Sequence, residues 1–289
     1  MKVSGSFLIT VVLTLSICQA RAELRDWTNS AGKTISAELL KVEGGSLTLK
    51  LDNGREYTIP ANTLSTADQE YATTWAAEQA AIAEAPKPTT EPLMTTPGKV
   101  LYQSDLTSID GEWKQSHGKW EGTPEGLTGL ELAENDHAAV MKRASTLKDA
   151  IIEFDVMLGD TTSAMFGIDN NDHICRVSLS KNSFQARKDD NDHEGPDVAK
   201  PFNAVETNFD PEEWHTVRIE LLGEEMLAQT GDLISLGSDP LLAVDKTKWG
   251  FVVSGGTVTF RNLTIWEALP NENWEKEGAR LKRRLDIEE

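Results

Sequence analysis

Two carboxylates lie two residues apart in a short apolar run, and they are the first residues in this sequence with the potential for chemistry. Glu153 and Asp155 alternate with apolar residues across residues 151–158. A period of two is typical of a β-strand, so both carboxylates should project from the same face. A retaining glycosidase needs two carboxylates about 5–5.5 Å apart, one as nucleophile and one as acid. Glu153 and Asp155 are therefore candidate catalytic residues.

His173 is the third candidate catalytic residue, as a general base or as a cation ligand. The four residues before it supply carboxylate and amide oxygens, which are the ligands that calcium prefers. The charge-rich residues 188–194 offer a second place for a cation. An ordinary polar turn and a solvated loop are the alternative interpretations, so calcium is a candidate cofactor without an assigned site.

Charged and aromatic side chains on other predicted strands form the candidate ligand-binding set. Arg218 and Glu220 share the polar face of one predicted strand, and Arg176 lies on the polar face of another. If these strands lie side by side, guanidinium groups, carboxylates and hydroxyls form a groove that suits a polyhydroxylated ligand. Trp120 is a candidate for stacking on a sugar ring, although an aromatic residue at a strand end also serves a core.

A β-sandwich must position these residues. The chain from residue 99 to residue 268 consists of short β-like runs separated by turn clusters, and helical periodicity is almost absent there. Several runs alternate apolar and polar residues, so one face of each strand is expected in a core. The pattern predicts an all-β sandwich of the jelly-roll type.

A smaller β-module is predicted over residues 23–72. Leucine occupies every second position from Leu47 to Leu51, as in the wall of a small barrel. Asn53-Gly54 predicts a hairpin in which both turn residues have positive φ.

Residues 73–98 join the two modules. Their first part is rich in Ala, Glu and Gln and continues a helix that begins at Thr66, with Ser65 as its cap. Four prolines then exclude a helix, which predicts a semi-extended spacer that lets the modules reorient. Residues 269–289 carry a few apolar residues among many charges, which predicts a short amphipathic helix.

The first 22 residues have the order of a secretory signal peptide: a lysine, an apolar run and a small-residue cleavage site after Ala22. The apolar run is about half of the ~20 residues that a membrane-spanning helix needs, so no transmembrane span is expected. The sequence therefore predicts an exported protein, periplasmic or extracellular. A lipid anchor at Cys18 is the alternative, although Ile17 is bulkier than the small residue that lipoprotein signals carry.

Composition limits the partners. The chain has 47 acidic and 28 basic residues and a formal charge of −19, which disfavours nucleic acid and anionic membrane surfaces. If Cys18 leaves with the signal peptide, Cys175 is the remaining cysteine and no internal disulfide forms. Packing must then supply the stability.

The smaller module contains an ordered set of motifs: Arg25-x-Trp27-Thr28, Gly32-Lys33, Asp52-x-Gly54-Arg55, Ile59-Pro60 and Leu64-Ser65-x-x-Asp68-x-x-Tyr71. This set resembles the first homology domain of the Sla family of endocytic adaptors, a Src homology 3-like barrel. The resemblance implies a module that binds a peptide or another protein, here a second protein of the cell envelope.

The larger module has its own ordered set: Gly111-x-Trp113, Gly118-x-Trp120, Ile152-Glu153-Phe154-Asp155, His173-x-Cys175-Arg176-Val177 and Trp214-His215-x-Val217. It resembles the 3-keto-disaccharide hydrolase-like domain, which is related in fold to the laminin-G and glucanase sandwiches of the concanavalin type. The glucanases carry E-x-D-x-x-E on one strand. The third carboxylate of that motif would fall on Leu158 or Gly159 here, so a glucanase mechanism on this strand is not expected.

Three functional hypotheses follow. In the first, the sandwich binds a glycan or glycoside without turnover and the small barrel contacts another protein. In the second, the resemblance implies a glycoside hydrolase acting on 3-keto-disaccharides, with Glu153, Asp155, His173 and Arg176 in its site. In the third, the chain is a structural envelope protein without a ligand site. They differ in whether Glu153, Asp155, Arg176 and Glu220 converge on one face.

Overall fold

The computed structural model describes residues 24–191, 194–195 and 197–287. The chain divides into two compact units, Met1–Gln79 and Ala80–Glu289. The signal peptide, the cleavage site at Ala22 and the alternative lipid anchor at Cys18 lie outside the described residues. Export therefore stays a prediction.

Four strands and a helix shape the first unit: β1 (Arg25–Thr28), β2 (Thr34–Glu43), β3 (Ser46–Leu51), β4 (Glu56–Pro60) and α1 (Thr66–Glu84). The strands form one antiparallel sheet in the order β1-β2-β3-β4. Trp27 and Leu39 are buried in its core. The alternation predicted for β3 is present, because Leu47 and Leu49 are buried there as well.

The turn between β3 and β4 differs from the predicted one. Gly54 has a φ of 79°, whereas Asn53 is not among the positive-φ residues of the described chain. The N–H of Gly54 donates to the carbonyl of Leu51, and the N–H of Leu51 donates to the carbonyl of Arg55, both at 2.9 Å. The prediction of two positive-φ residues was wrong, because in a three-residue hairpin loop only the last residue is left-handed.

Helix α1 begins at the predicted residue. The hydroxyl of Ser65 accepts the N–H of Asp68 at 3.2 Å and donates to its carboxylate at 2.8 Å. The same carboxylate accepts the guanidinium of Arg25 at 2.7 Å and the N–H of Thr28 at 2.8 Å. A buried capping carboxylate thus ties the start of α1 to β1.

The second unit has sixteen strands within its described residues. They are β5 (Thr95–Ser104), β6 (Trp113–His117), β7 (Lys119–Thr123), β8 (Gly126–Leu130), β9 (Ala139–Leu147), β10 (Ala150–Met157), β11 (Thr161–Asp169), β12 (His173–Ser180), β13 (Ser183–Lys188), β14 (Lys200–Pro201), β15 (Val205–Glu206), β16 (His215–Leu222), β17 (Glu225–Thr230), β18 (Leu233–Ser238), β19 (Lys246–Gly255) and β20 (Val258–Pro270). A helix, α2 (Trp274–Arg284), follows them.

These strands form two antiparallel sheets. The first sheet has the order β18-β17-β16-β10-β20-β8-β7, with β5 paired to β20. The second sheet has the order β14-β13-β12-β11-β19-β9-β6, with β15 paired to β13. Buried residues of both sheets belong to one hydrophobic cluster. The predicted all-β sandwich is therefore confirmed.

Aromatic side chains fill the space between the sheets. Phe154 of the first sheet stacks on Phe166 of the second with ring centroids 5.3 Å apart. Phe251 of the second sheet stacks on Phe260 of the first with centroids 4.1 Å apart. As predicted, the alternate apolar residues of β10 face this core, so its carboxylates project from the outer face.

Residues 86–95, called the strap below, lie on the outer face of the first sheet. The carboxylate of Glu220 on β16 accepts the N–H groups of three successive residues, 93–95, at 2.8–2.9 Å. The indole N–H of Trp266 on β20 donates to the carbonyl of Pro86 at 2.6 Å. The strap is thus held at both of its ends.

The spacer predicted within residues 73–98 is therefore not free of the sandwich. Its prolines exclude a helix, as expected, but an extended backbone leaves N–H groups that a buried carboxylate can capture. The first strand of the sandwich also begins at Thr95, four residues before the predicted boundary at residue 99.

The amphipathic helix predicted at the end of the chain is present as α2. Trp274 packs in a cluster with Met94 of the strap and Leu236 of β18. Its indole N–H donates to Glu225 at 2.8 Å. Within the described residues, no helix is both long enough and apolar enough to cross a membrane.

Replacing Glu220 with alanine should destabilise the second unit. The Arg218 side chain, which is 2% exposed, would lose its ion-pair partner. The N–H groups of the strap would lose the carboxylate that accepts their hydrogen bonds. We expect the Glu220→Ala variant to lose about 3–5 kcal/mol of unfolding free energy in urea, with faster proteolysis within the strap. Glu121→Ala, at an exposed ion pair with Lys119, is the control and should change stability by less than about 1 kcal/mol. Equal losses in the two variants would contradict this role of Glu220.

Candidate functional site

Four of the predicted site residues lie on the outer face of the first sheet. β10 and β16 are adjacent and antiparallel, with Glu153 directly opposite Arg218. Asp155 and Glu220 project from the same face on opposite sides of this pair, because the strands are antiparallel: Asp155 is opposite Thr216, and Glu220 is opposite Ile151. The structure thus places Glu153, Asp155, Arg218 and Glu220 on one face, with Glu153 and Arg218 adjacent and with Asp155 and Glu220 on opposite sides of them.

Arg218 and Glu220 are used within the fold. Arg218 donates through Nε to Glu220 at 3.2 Å, through Nη1 to the carbonyl of Thr90 at 2.8 Å and through Nη2 to Gln229 at 2.5 Å. Glu220 is fully buried beneath the strap. The geometry therefore does not support the predicted ligand-binding role for this pair, because their donors and acceptors are already engaged.

Glu153 has one engaged and one unpartnered carboxylate oxygen. Its Oε1 accepts the N–H and the hydroxyl of Thr89 at 2.8 and 2.7 Å. Its Oε2 is buried and has no hydrogen-bond partner in the described part of the chain. A cavity of about 320 Å³ adjoins Glu153 and is also lined by Trp214.

Asp155 is held differently. One oxygen accepts the hydroxyl of Thr216 at 2.7 Å, and the other accepts from Arg261 at 3.1 Å and from Asn262 at 2.8 Å. Both oxygens are therefore engaged. A nucleophilic role for Asp155 would require these hydrogen bonds to be rearranged.

Trp120 does not lie on a binding surface. It is 7% exposed, belongs to the main core and donates its indole N–H to the carbonyl of His117 at 3.1 Å. A Cβ at Gly129 would approach the Trp120 ring to 2.6 Å. The prediction of a stacking platform was wrong, because a glycine in the paired strand makes room for the indole inside the sandwich.

The outer face of the second sheet carries the other predicted residues, together with a row that the sequence analysis did not find. Its five members lie directly opposite one another on adjacent strands. In order they are Arg187 on β13, Arg176 on β12, Gly167 on β11, Gly250 on β19 and Lys142 on β9. We call this row the cradle.

The two middle residues of the cradle are buried glycines, which place no side chain of their own on this face. Lys142 reaches across the row towards Asp169, and its Nζ would lie 3.4 Å from a Cβ at Gly167. The side chains at its ends are partly exposed, 34% for Arg187, 21% for Arg176 and 15% for Lys142. Three strand spacings separate β12 from β9, a width of about 14 Å. The cradle is therefore a shallow trough with cationic ends.

A buried carboxylate fixes the two arginines. Asp189 accepts the Nε–H of Arg176 at 2.7 Å on one oxygen and the Nε–H of Arg187 at 2.9 Å on the other. The Asp189 side chain is 3% exposed. Each guanidinium is thus held through its Nε, and its terminal amino groups are not used by this carboxylate.

A second buried carboxylate fixes the lysine. Asp169 accepts the ammonium of Lys142 and lies 3.2 Å from Nδ1 of His173. Burial by itself raises the pKa of Asp169, but the hydrogen bond from His173 and the charge of Lys142 outweigh it and hold that pKa below its usual range. Burial lowers the pKa of Lys142, against the attraction of Asp169, and the charges of Arg176 and Lys248 lower it further.

The predicted site residues therefore divide between two surfaces. His173 and Arg176 lie on the second sheet, whereas Glu153, Asp155, Arg218 and Glu220 lie on the outer face of the first. The hydrophobic core separates the two faces. A single site that contains Glu153, Asp155, His173 and Arg176 is thus excluded by the sandwich.

The described geometry gives calcium no support. No group of three or more His, Cys, Asp or Glu side chains that could hold a metal ion occurs among the described residues. Asp169, in the loop where calcium was considered, faces Lys142 instead. Cys175 is a free, buried core residue, and burial raises the pKa of its thiol to about 12.

The cradle left one signal in the sequence. Gly167 lies inside a predicted strand and Gly250 begins another, and a glycine in a strand often marks a place at which a ligand or another backbone approaches closely. The sequence did not predict that Arg176 lies opposite Gly167 or that Lys142 lies opposite Gly250. These pairings depend on the order and register of the strands.

No protein-family model and no curated protein matches this chain. Among solved structures, the carbohydrate-binding module CBM66 of Bacillus subtilis is 17% identical with a TM-score of 0.45, over 54% of this chain and 96% of that one. A β-glucanase of Bacillus licheniformis is 8% identical with a TM-score of 0.45, over 57% and 97%. An endo-β-galactosidase of Clostridium perfringens is 10% identical with a TM-score of 0.47, over 63% and 65%.

At these identities and TM-scores, the similarities bear on neither the ligand nor the activity of this chain. The fold is established by its own strand pairing. The resemblances to the Sla homology domain and to the 3-keto-disaccharide hydrolase-like domain stay predictions.

Removing the charge of Asp169 should destabilise the protein in a pH-dependent way. Because its pKa is lowered by folding, ionised Asp169 contributes stability above its unfolded-state pKa, and this contribution is lost as the pH falls through the folded-state pKa. We expect Asp169→Asn to lose about 1–3 kcal/mol of unfolding free energy at neutral pH, because buried Lys142 loses its partner. The difference from the parent chain should shrink below about pH 4.

Urea unfolding at several pH values measures this difference. Glu134→Gln, at an exposed position, is the control and should follow the parent chain at every pH. A loss for Asp169→Asn that is the same at low and neutral pH would contradict the assigned role.

Proposed function

We propose that this chain is an exported protein whose sandwich binds a glycan or glycoside in the cradle, and whose first unit contacts another protein or a peptide. The observation that carries the proposal is the pair of glycines, Gly167 and Gly250, between cationic side chains that buried carboxylates hold. The glycines add no side chain of their own to this floor, and the side chain that reaches over Gly167 is the flexible end of Lys142, so a ring can contact the floor beside the Lys142 ammonium.

Polar groups around the floor suit sugar hydroxyls. Arg176 and Arg187 offer several N–H donors in a fixed plane, and Lys142 offers an ammonium. Ser178 and Gln185 are directly opposite each other in the neighbouring row of the same face and are half-buried. Their hydroxyl and amide groups can both donate and accept, which is what a polyhydroxylated ligand requires.

Recognition without turnover is the form of the proposal that the charges support. The two carboxylates beside the cradle, Asp169 and Asp189, are buried and paired with cations. The lowered pKa of Asp169 keeps that group ionised at neutral pH, so it does not supply the protonated acid that glycoside cleavage needs.

Glycoside hydrolysis, for example of 3-keto-disaccharides, is the second candidate function, and one observation favours it. The unpartnered Oε2 of Glu153 is buried beside the cavity on the first sheet. A buried polar atom without a hydrogen-bond partner requires an explanation in a native fold, and a catalytic role is one such explanation. This candidate places the chemistry on the opposite side of the sandwich from the cradle.

The role proposed for the first unit is based on its resemblance to the Sla homology domain. Ile35 and Tyr57 are 45% and 47% exposed, on strands β2 and β4, and single exposed apolar side chains of this kind are ordinary on a protein surface. Export is proposed on the signal peptide alone.

Filling the floor of the cradle should abolish glycan binding without unfolding the chain. A Cβ at Gly167 would lie 3.4 Å from Nζ of Lys142 and 3.9 Å from Cγ2 of Val252, so Gly167→Val should fold by displacing the flexible end of Lys142 and remain within about 1 kcal/mol of the parent stability. We expect at least about a tenfold loss of affinity on a glycan array that includes 3-keto-glycosides. Gly111→Val, where a Cβ would meet nothing within 4 Å, is the control.

The same array separates the two functions when released sugar is measured with and without calcium. Binding that Gly167→Val removes, without release, supports recognition in the cradle. Release that survives Gly167→Val and disappears in Glu153→Gln would replace it with hydrolysis on the first sheet. Neither binding nor release would leave the structural hypothesis.

A further inference from the structure

Two like charges face each other at one end of the cradle. Arg176 on β12 and Arg187 on β13 are direct cross-strand partners, an arrangement that is destabilising for like charges. One carboxylate, Asp189, lies between them and neutralises one of the two positive charges. Among the described residues, these two guanidiniums thus share a single hydrogen-bonded carboxylate.

The unused donors of this pair are on the terminal amino groups of its guanidiniums. Arg187 has Asp189 as its only hydrogen-bond partner among the described residues, and this bond uses Nε. Arg176 uses Nε for Asp189, and its Nη1 meets only the sulfur of Met165, at 4.0 Å. The terminal amino groups of two guanidiniums therefore remain for a ligand that supplies oxygen acceptors.

We infer that the cradle selects an acidic saccharide, whose carboxylate or sulfate group lies between Arg176 and Arg187 while its ring covers the glycine floor. This inference rests on the proposed function and names its ligand class. Guanidinium groups bind the planar or tetrahedral oxygens of such anions with charge-assisted hydrogen bonds. The site is pre-organised, because Asp189 holds both side chains before a ligand arrives.

The charge of the row agrees with this ligand class. The row contains three cationic side chains and no carboxylate, although the whole chain has a formal charge of −19. Both carboxylates that balance the row are buried, at 3% and 5% side-chain exposure. A ligand therefore meets the cations first, and a neutral sugar would leave one charge without a counterpart.

The test uses the mature chain and an array in which each neutral oligosaccharide is paired with its uronic-acid and its sulfated counterpart. We expect the acidic members to bind at least about tenfold more tightly than the neutral ones at low ionic strength, and we expect this preference to fall as salt is added. The uronic-acid and sulfated arms identify which anion the pair prefers.

Arg187→Gln is the variant that probes the pair, and Arg261→Gln is its matched control. Both arginines are bound by a single carboxylate through Nε, and their side chains are 34% and 36% exposed. Arg261 pairs with Asp155 on the other sheet. We expect Arg187→Gln to lose about tenfold in affinity for the acidic member and less than about twofold for the neutral one. Arg261→Gln should bind like the parent chain.

The outcomes separate the inference from the proposed function. Equal binding of neutral and acidic members, or equal effects of the two arginine variants, overturns the acidic ligand and leaves glycan recognition standing. Absence of binding to every member of the array overturns both. Urea unfolding of the variants shows whether any loss comes from misfolding.

Discussion

A fully buried carboxylate decides how this sandwich is built. Glu220 projects from the outer face of the first sheet, where a carboxylate would ordinarily meet water. It instead accepts the N–H groups of residues 93–95, the hydroxyl of Thr95 and the guanidinium of Arg218. Burying the Glu220 carboxylate without these partners would cost several kcal/mol of desolvation free energy. The burial of Glu220 therefore requires the strap, and the strap is held in place by Glu220.

This interaction determines which face of the sandwich is open. Every strand of a two-sheet sandwich directs alternate side chains outward, so polar side chains can occupy the outer face of either sheet. The strap and α2 pack on the outer face of the first sheet. Carbonyl groups of the strap accept hydrogen bonds from Arg218 and Trp266 of that face. The cradle on the second sheet keeps its charged groups partly exposed, and its glycines place no side chain of their own on this face.

Buried carboxylates have the same physical role in three places. Asp68 orders the start of α1, Glu220 holds the strap, and Asp189 aligns two arginines. In each case the acid accepts several donors at once and is itself shielded from water. This use of acidic residues positions other groups, and it explains why carboxylates that stand out in the sequence are poor guides to where a ligand binds.

The sequence by itself determined the class of the fold. The period-two patterns of β3, β10 and β16 predicted which side chains enter a core, because burial on one face imposes that period on any strand. It also determined the start of α1 and the terminal amphipathic helix, since caps and helical periodicity are local features. The tertiary structure alone decided that Glu153 and Arg176 belong to opposite faces, that Trp120 is inside, and that Gly167 and Gly250 meet Lys142 and the arginines. Those outcomes depend on strand order and register across residues far apart in the chain, which local patterns do not encode.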